Sequence, residues 1–175
     1  PDGHPPAGAR SVGLALYPLE GGARRLLTTP PAGYSADTSP AFSPDGRALA
    51  FIRESSPQVR DLWVVALNED LTVAGEPRRL TTWNRSILSP AWGRDGSEII
   101  VATGEMQDAH LWRIPVWSGE APSVIEAAGE GATLPAFSPD GRLIFTRTQW
   151  NSSLWVLDLS TGSGERARPR RWAWC

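Results

Sequence analysis

An all-β fold, a β-propeller of four-stranded antiparallel blades, is what this 175-residue sequence predicts. Two short landmarks that recur in step carry the prediction, together with apolar runs of the length of strands rather than helices. The first landmark is Ser39 to Arg47 (SPAFSPDGR), repeated at Ser89 to Ser97 (SPAWGRDGS) and Leu134 to Arg142 (LPAFSPDGR). Its aspartates, Asp45, Asp95 and Asp140, are spaced by 50 and 45 residues. The second landmark is Leu62-Trp63, Leu111-Trp112 and Leu154-Trp155, with tryptophan steps of 49 and 43. Neither helix periodicity nor chance composition keeps two landmarks moving together.

The turn comes first in each unit. Ser43-Pro44-Asp45-Gly46 suits a type I turn: serine opens it, proline presets φ, and glycine closes it where a positive φ is free. Asp95-Gly96 and Pro139-Asp140-Gly141 mark the same turn in the later units. Each aspartate is expected to cap its turn through backbone N–H groups. Gly93-Arg94 replaces Ser-Pro in the second unit, which predicts a weaker turn there.

Two short strands flank the turn, Ser39 to Ser43 and Ala48 to Arg53 in the first unit. The second of these is nearly all apolar. Its counterparts are read as Glu98-Ile99-Ile100-Val101-Ala102 and Leu143-Ile144-Phe145-Thr146. An apolar run of that length implies a strand covered on both faces, as when blades stack face to face. A third strand carries Trp63, Trp112 or Trp155, and an outer strand ends in Leu80-Thr81-Thr82 or Ser123-Val124-Ile125. Four strands per 43 to 50 residues make one blade.

On this spacing the chain divides into a partial blade over 1–30, blades over 31–84 and 85–128, a blade over 129–171 whose outer strand matches least well, and a tail over 172–175. Leu14 to Leu19 and Arg24 to Thr29 stand as the third and fourth strands of the partial blade, with Ala15 where later blades have tryptophan. About three complete blades plus a partial one are expected, an arc of a larger ring, because propellers close with about 4–8 blades. The chain is then a fragment whose missing blades are its own first partner, and its first and last blades should expose apolar faces.

With SPAFSPDGR, LWVVAL and EPRRLTT in view, the chain resembles the WD40-like (PD40) propeller repeat of the TolB family, over roughly residues 12 to 162. The stretches SPAWGRDGSEIIVATGE, LWRIPVWSGE and SLWVLDLSTG are similar to propellers attached to CadC-type winged-helix transcriptional regulators. That resemblance implies a binding role, an extracytoplasmic setting, and no catalytic residue within the repeats.

Composition narrows the partners. A net charge of −2 argues against a nucleic-acid-binding surface. The Arg24-Arg25 and Arg78-Arg79 pairs read as solvated strand edges. No stretch of 18 apolar residues exists to form a membrane-spanning helix, and Cys175, alone in the sequence, can make no internal disulfide. One aspartate per turn falls short of a calcium loop, and His4 and His110 do not make a zinc site. The Gly-x-Ser-x-Gly elbow of α/β-hydrolases is absent from these residues. No catalytic, metal or cofactor site is therefore predicted. Trp63, Trp112 and Trp155 are expected to pack between blades, whereas Trp83, Trp117 and Trp150 fall outside that register and are the aromatics nominated to touch a ligand.

The functional expectation is a non-catalytic scaffold for a protein or small-molecule ligand, serving as the sensor of a transcriptional regulator or as a TolB-like protein. The alternative is the gating propeller that precedes the hydrolase domain of a prolyl-oligopeptidase-like serine peptidase.

Overall fold

The computed structural model describes residues 11–83, 85–104 and 108–149, together with the backbone of 155–157 and 164–166. Residues 1–10 of the partial blade with His4, Trp150 and the tail over 172–175, all read above from sequence, lie outside the described residues, as does the Trp155 side chain.

Strands β1 (Ala15–Leu16) and β2 (Arg25–Leu26) pair antiparallel. Then β3 (Ala36–Phe42), β4 (Ala48–Ser56), β5 (Val59–Ala66) and β6 (Arg78–Arg79) form a four-stranded antiparallel sheet in sequence order. A second such sheet holds β7 (Ile87–Trp92), β8 (Glu98–Thr103), β9 (His110–Pro115) and β10 (Ser123–Val124). A short 3₁₀ turn over Glu126–Ala128 leads to β11 (Ala132–Phe137) and β12 (Leu143–Arg147), and β13 (Trp155–Leu157) pairs with β14 (Gly164–Arg166). The last unit, expected as one four-stranded blade, is thus seen as two antiparallel pairs among the described residues. Among the described residues the elements are strands apart from short 3₁₀ turns, and the two complete sheets are propeller blades.

Alternation along each central strand explains how the blades stack. In β4, Ala48, Ala50 and Ile52 turn to the next blade and meet Ile87, Ile99, Val101 and Ile114; Leu49 and Phe51 turn the other way, toward Leu14 and Leu27. Ile100, Ala102 and Leu111 carry the pattern on to Ala132, Phe137, Leu143 and Phe145. A fully buried side chain of this size contributes roughly 1.5–3 kcal/mol, so blade stacking is the main source of stability.

Two backbone devices recur. Where one blade hands over to the next, Val12 N–H donates to Ser35 O (3.1 Å) and Arg60 N–H to Arg85 O (3.3 Å). At the outer edge, the Leu14 and Leu62 N–H groups each donate to a threonine hydroxyl, Thr28 and Thr81, both at 3.0 Å.

The turns form as their residues dictate. Gly46 N–H donates to Ser43 O at 2.9 Å with φ of 71° at the glycine. The Ser43 hydroxyl donates to Asp45 Oδ1 (2.6 Å), which also accepts Arg47 N–H (3.0 Å). In the second unit Gly93 has no hydroxyl to offer, and Ser97 supplies one from the other side, donating from Oγ (2.7 Å) and N–H (3.0 Å) to Asp95 Oδ1. The substitution expected to weaken that turn is compensated within it.

The third hairpin departs from the sequence alignment by one residue. Phe42 pairs with Leu49 and Trp92 with Ile99, but Phe137 pairs with Leu143. Ser138 N–H accordingly reaches Arg142 O, where the earlier hairpins close on Ala48 O and Glu98 O. Arg142 thus takes the place of Ala48 and Glu98 and the residue equivalent to Arg47 and Ser97 is missing, so Leu143 matches Leu49 and Ile144 matches Ala50 and Ile100. Ile144 is 63% exposed and Ile100 1%, because no described blade covers this face of β12.

Candidate functional site

Two places gather side chains capable of recognition. One lies at the turn end of the blades, in the cleft between the β3–β6 and β7–β10 sheets. A shallow recess of about 340 Å³ there is lined by Asp45, Arg47, Trp92, Asp95, Ser97 and Trp117. Trp92 forms its floor: the ring is buried and Nε1–H donates across the blade boundary to Ala41 O at 2.9 Å. Trp117 stands at the rim, 61% exposed. Its orientation is held twice, by Nε1–H donating to Gly96 O (3.0 Å) and by the Arg78 guanidinium 5.4 Å from the ring centre. Arg78 is itself anchored by donation to Val116 O at 2.6 Å.

The two carboxyls at this recess are held below the ordinary aspartate value of 3.8: Asp45 first by the Ser43 hydroxyl and then by Arg47 N–H, Asp95 first by Ser97 N–H and then by its hydroxyl. Both remain ionised acceptors near neutral pH. They suit the cleft to binding a polar or cationic group beside an aromatic face, and unsuit it to general acid chemistry.

The second place is the buried end of β3 and β4. Arg53 donates from Nε and Nη2 to the two oxygens of Asp37, at 2.6 and 2.8 Å, with the rings of Trp63, Phe51 and Tyr34 at 4.8 to 5.6 Å from the guanidinium. Asp61 lies nearby in the same sheet, bonded by Arg79 Nη2 and by the Thr81 hydroxyl (2.9 Å). These charges are spent on one another.

Of the aromatics nominated for ligand contact, the structure places Trp117 at the cleft and turns Trp83 inward, packed at a tilt of 52° against Trp112 with ring centres 4.7 Å apart. Trp150 lies outside the described residues. Trp63 and Trp112 are partly buried against the blade-boundary clusters. Arg78, Trp92 and the Asp37–Arg53 pair were not singled out as site residues. The only sequence signal for the last was an arginine closing the apolar run of β4, which means nothing until its β3 partner is known. Among the described residues no group of three His, Cys, Asp or Glu side chains converges to hold a metal.

With this geometry established, similarity to known proteins separates the functional readings. No family model matches the chain. By structure it is similar to TolB from Acinetobacter baumannii, with a TM-score of 0.61 and 19% identity over 90% of this chain and 38% of that one. The fold is a TolB-like β-propeller. By sequence it is similar to an uncharacterized peptidase, YuxL, of Bacillus subtilis (28% identical, 65% of this chain, 22% of that protein) and to dipeptidyl-peptidase 5 of Aspergillus fumigatus (31% identical, 72% of this chain, 17% of that protein). The chain therefore spans about a fifth of the length of these curated relatives.

These matches overturn the expectation of a non-catalytic sensor attached to a transcriptional regulator. The curated relatives are named as peptidases, which favours the alternative, a propeller of a peptidase, and corrects the reading of a protein without an enzymatic role. The repeat motifs had pointed to the wrong class because they report blade geometry, which is shared by propellers of unrelated function.

Proposed function

We propose that this chain is part of the propeller domain of a prolyl-oligopeptidase-like serine peptidase, where it stands beside a hydrolase domain and governs the access of peptides to it. The observation that carries this reading is the 31% identity to dipeptidyl-peptidase 5 of Aspergillus fumigatus over 72% of the chain, supported by the separate match to the Bacillus subtilis peptidase. The chemistry of the blades agrees with a non-reacting role inside such an enzyme. Their buried charges are paired, and the carboxylates at the open cleft are fixed as acceptors by their own turns.

The test is made on the full-length gene product. A nucleophilic serine that reacts covalently with a fluorophosphonate probe, together with hydrolysis of short peptide p-nitroanilides, is the expected result. A full-length protein that neither takes up the probe nor cleaves any peptide of a mixed library would remove the peptidase reading while leaving the fold in place.

A further inference from the structure

The turn end of the first two blades holds acceptors that the chain leaves unused. Asp45 takes the Ser43 hydroxyl (2.6 Å) and Arg47 N–H (3.0 Å) on one oxygen, Oδ1. Asp95 likewise takes the Ser97 hydroxyl (2.7 Å) and N–H (3.0 Å) on Oδ1. The other oxygen of each carboxylate, Oδ2, receives no hydrogen bond from another described residue. The third turn shows what that oxygen takes when a donor is at hand: Asp140 Oδ2 pairs with the Arg142 guanidinium through Nε, at 3.1 Å. Ala48 and Glu98, which stand where Arg142 stands, supply no such cation.

The two unused oxygens belong to one place. The turns lie side by side, since a β-carbon built on Gly96 would sit 3.8 Å from Pro44 Cδ, and both aspartates line the recess of about 340 Å³. The cations nearby are directed elsewhere. Arg47 is drawn to Glu69 (3.2 Å) and Arg113 to Glu98 (2.8 Å), while the Arg94 side chain runs against Gly141 of the third turn, with Cδ 3.7 Å from a β-carbon built there.

Trp117 divides this recess from a second one. Arg78 and Glu120 line the far recess, Asp45 and Asp95 the near one, and Trp117 lines both. A guanidinium thus already stands against the ring from the far recess, 5.4 Å from its centre. The near recess offers the ring together with two carboxylates. A single exposed ion pair contributes little, so a ligand must engage both aspartates and the ring to be held. A guanidinium does this best, because its planar fork donates to several carboxylate oxygens while its weakly hydrated face lies on an aromatic. An ammonium has neither the fork nor the flat face.

We infer that this cleft is a binding site for a guanidinium group, held by the Oδ2 atoms of Asp45 and Asp95 and laid against the near side of the Trp117 ring. Trp92 closes the floor, so the recess takes the head of an arginine-like group and leaves the rest of the ligand in solvent. The site rests on the turns and on Trp117, and is independent of the peptidase reading.

The full-length gene product, treated with the fluorophosphonate so that no peptide is cleaved, is titrated calorimetrically with three probes. They are methylguanidinium chloride, acetyl-Ala-Arg-Ala-amide, and the same tripeptide carrying citrulline, which keeps the shape of arginine without its charge. The arginine tripeptide should bind saturably, about tenfold or more tighter than its citrulline counterpart. Asp45→Asn with Asp95→Asn should weaken it about tenfold, and Trp117→Ala, which leaves both carboxylates in place, about threefold. Circular dichroism establishes that each variant is folded; if the double variant is not, Trp117→Ala decides. Methylguanidinium binding as tightly as the arginine tripeptide would assign the site to a small free guanidinium, and tighter binding of the tripeptide to an arginine side chain. Equal affinity for arginine and citrulline, no saturable binding, or arginine binding unchanged in the folded variants would overturn the site. A protein that shows this binding pattern and, before treatment, neither takes up the probe nor cleaves peptides would refute the peptidase reading and leave the site standing.

Discussion

Arg53 and Asp37 face each other across β3 and β4 as a fully desolvated, two-pronged ion pair, 4% and 0% exposed. The same cross-strand position is occupied by Ile87 and Thr103 in the next blade and by Ala132 and Arg147 in the one after. A charge pair is therefore one of several solutions the fold accepts there. Its attraction offsets the cost of burial only while both partners are present.

Removing one partner should be far worse than removing both. Asp37→Ala is expected to destabilise the chain by about 3–5 kcal/mol, since it strands the Arg53 charge among Trp63, Phe51 and Tyr34. The double variant Asp37→Ile, Arg53→Thr, which copies the neighbouring blade, should lie within about 1.5 kcal/mol of the parent. Urea unfolding of the three proteins checks this, and a single variant as stable as the double would refute the account.

The tryptophans should separate by location. Trp112 is packed on Trp83 and the main core cluster, so Trp112→Ala should cost about 3 kcal/mol. Trp112→Phe should cost much less, because the Trp112 Nε1–H is buried without a protein acceptor among the described residues. Trp117→Ala removes an exposed ring and should stay within about 1 kcal/mol. Thermal melts of the three variants rank them.

Leu143 and Ile144 distinguish the observed register from the aligned one. With one residue missing from the hairpin, Leu143→Asp places a charge against Ile100 and Leu111 and should cost about 3 kcal/mol or more. Ile144→Asp, on the open face, should cost about 0.5 kcal/mol or less. Reversal of that order in chemical unfolding would restore the register read from sequence.

Acid should act on the turns in a defined direction. The folded carboxyls of Asp45, Asp70 and Asp95 lie below their ordinary 3.8. A depressed folded value means the stabilisation is complete above the unfolded value and is lost as pH falls through the folded one. Stability should therefore decline as pH drops below about 4, and Asp45→Asn with Asp95→Asn should flatten that decline by lowering the pH 7 plateau toward the acid value, since the neutral amides lack the stabilisation of the ionised carboxylates at every pH. Unfolding midpoints from pH 7 to pH 2 provide the measurement.

The sequence by itself determined the repeat, the turn chemistry, the strand order within each complete blade and the all-β class. Each is written in contiguous residues: Ser43 to Gly46 close a turn from local geometry, and Ala48 to Ile52 announce a strand covered on both faces. Tertiary structure alone decided what depends on register between strands far apart in the chain. The Asp37–Arg53 pair, the slip that exposes Ile144, and the pairing of Arg78 with Trp117 all join residues whose proximity is set by how sheets align. A one-residue offset turns every side chain of a strand to the opposite face, and no local propensity records it. Function lay further off still, since blade geometry is indifferent to the domain it accompanies.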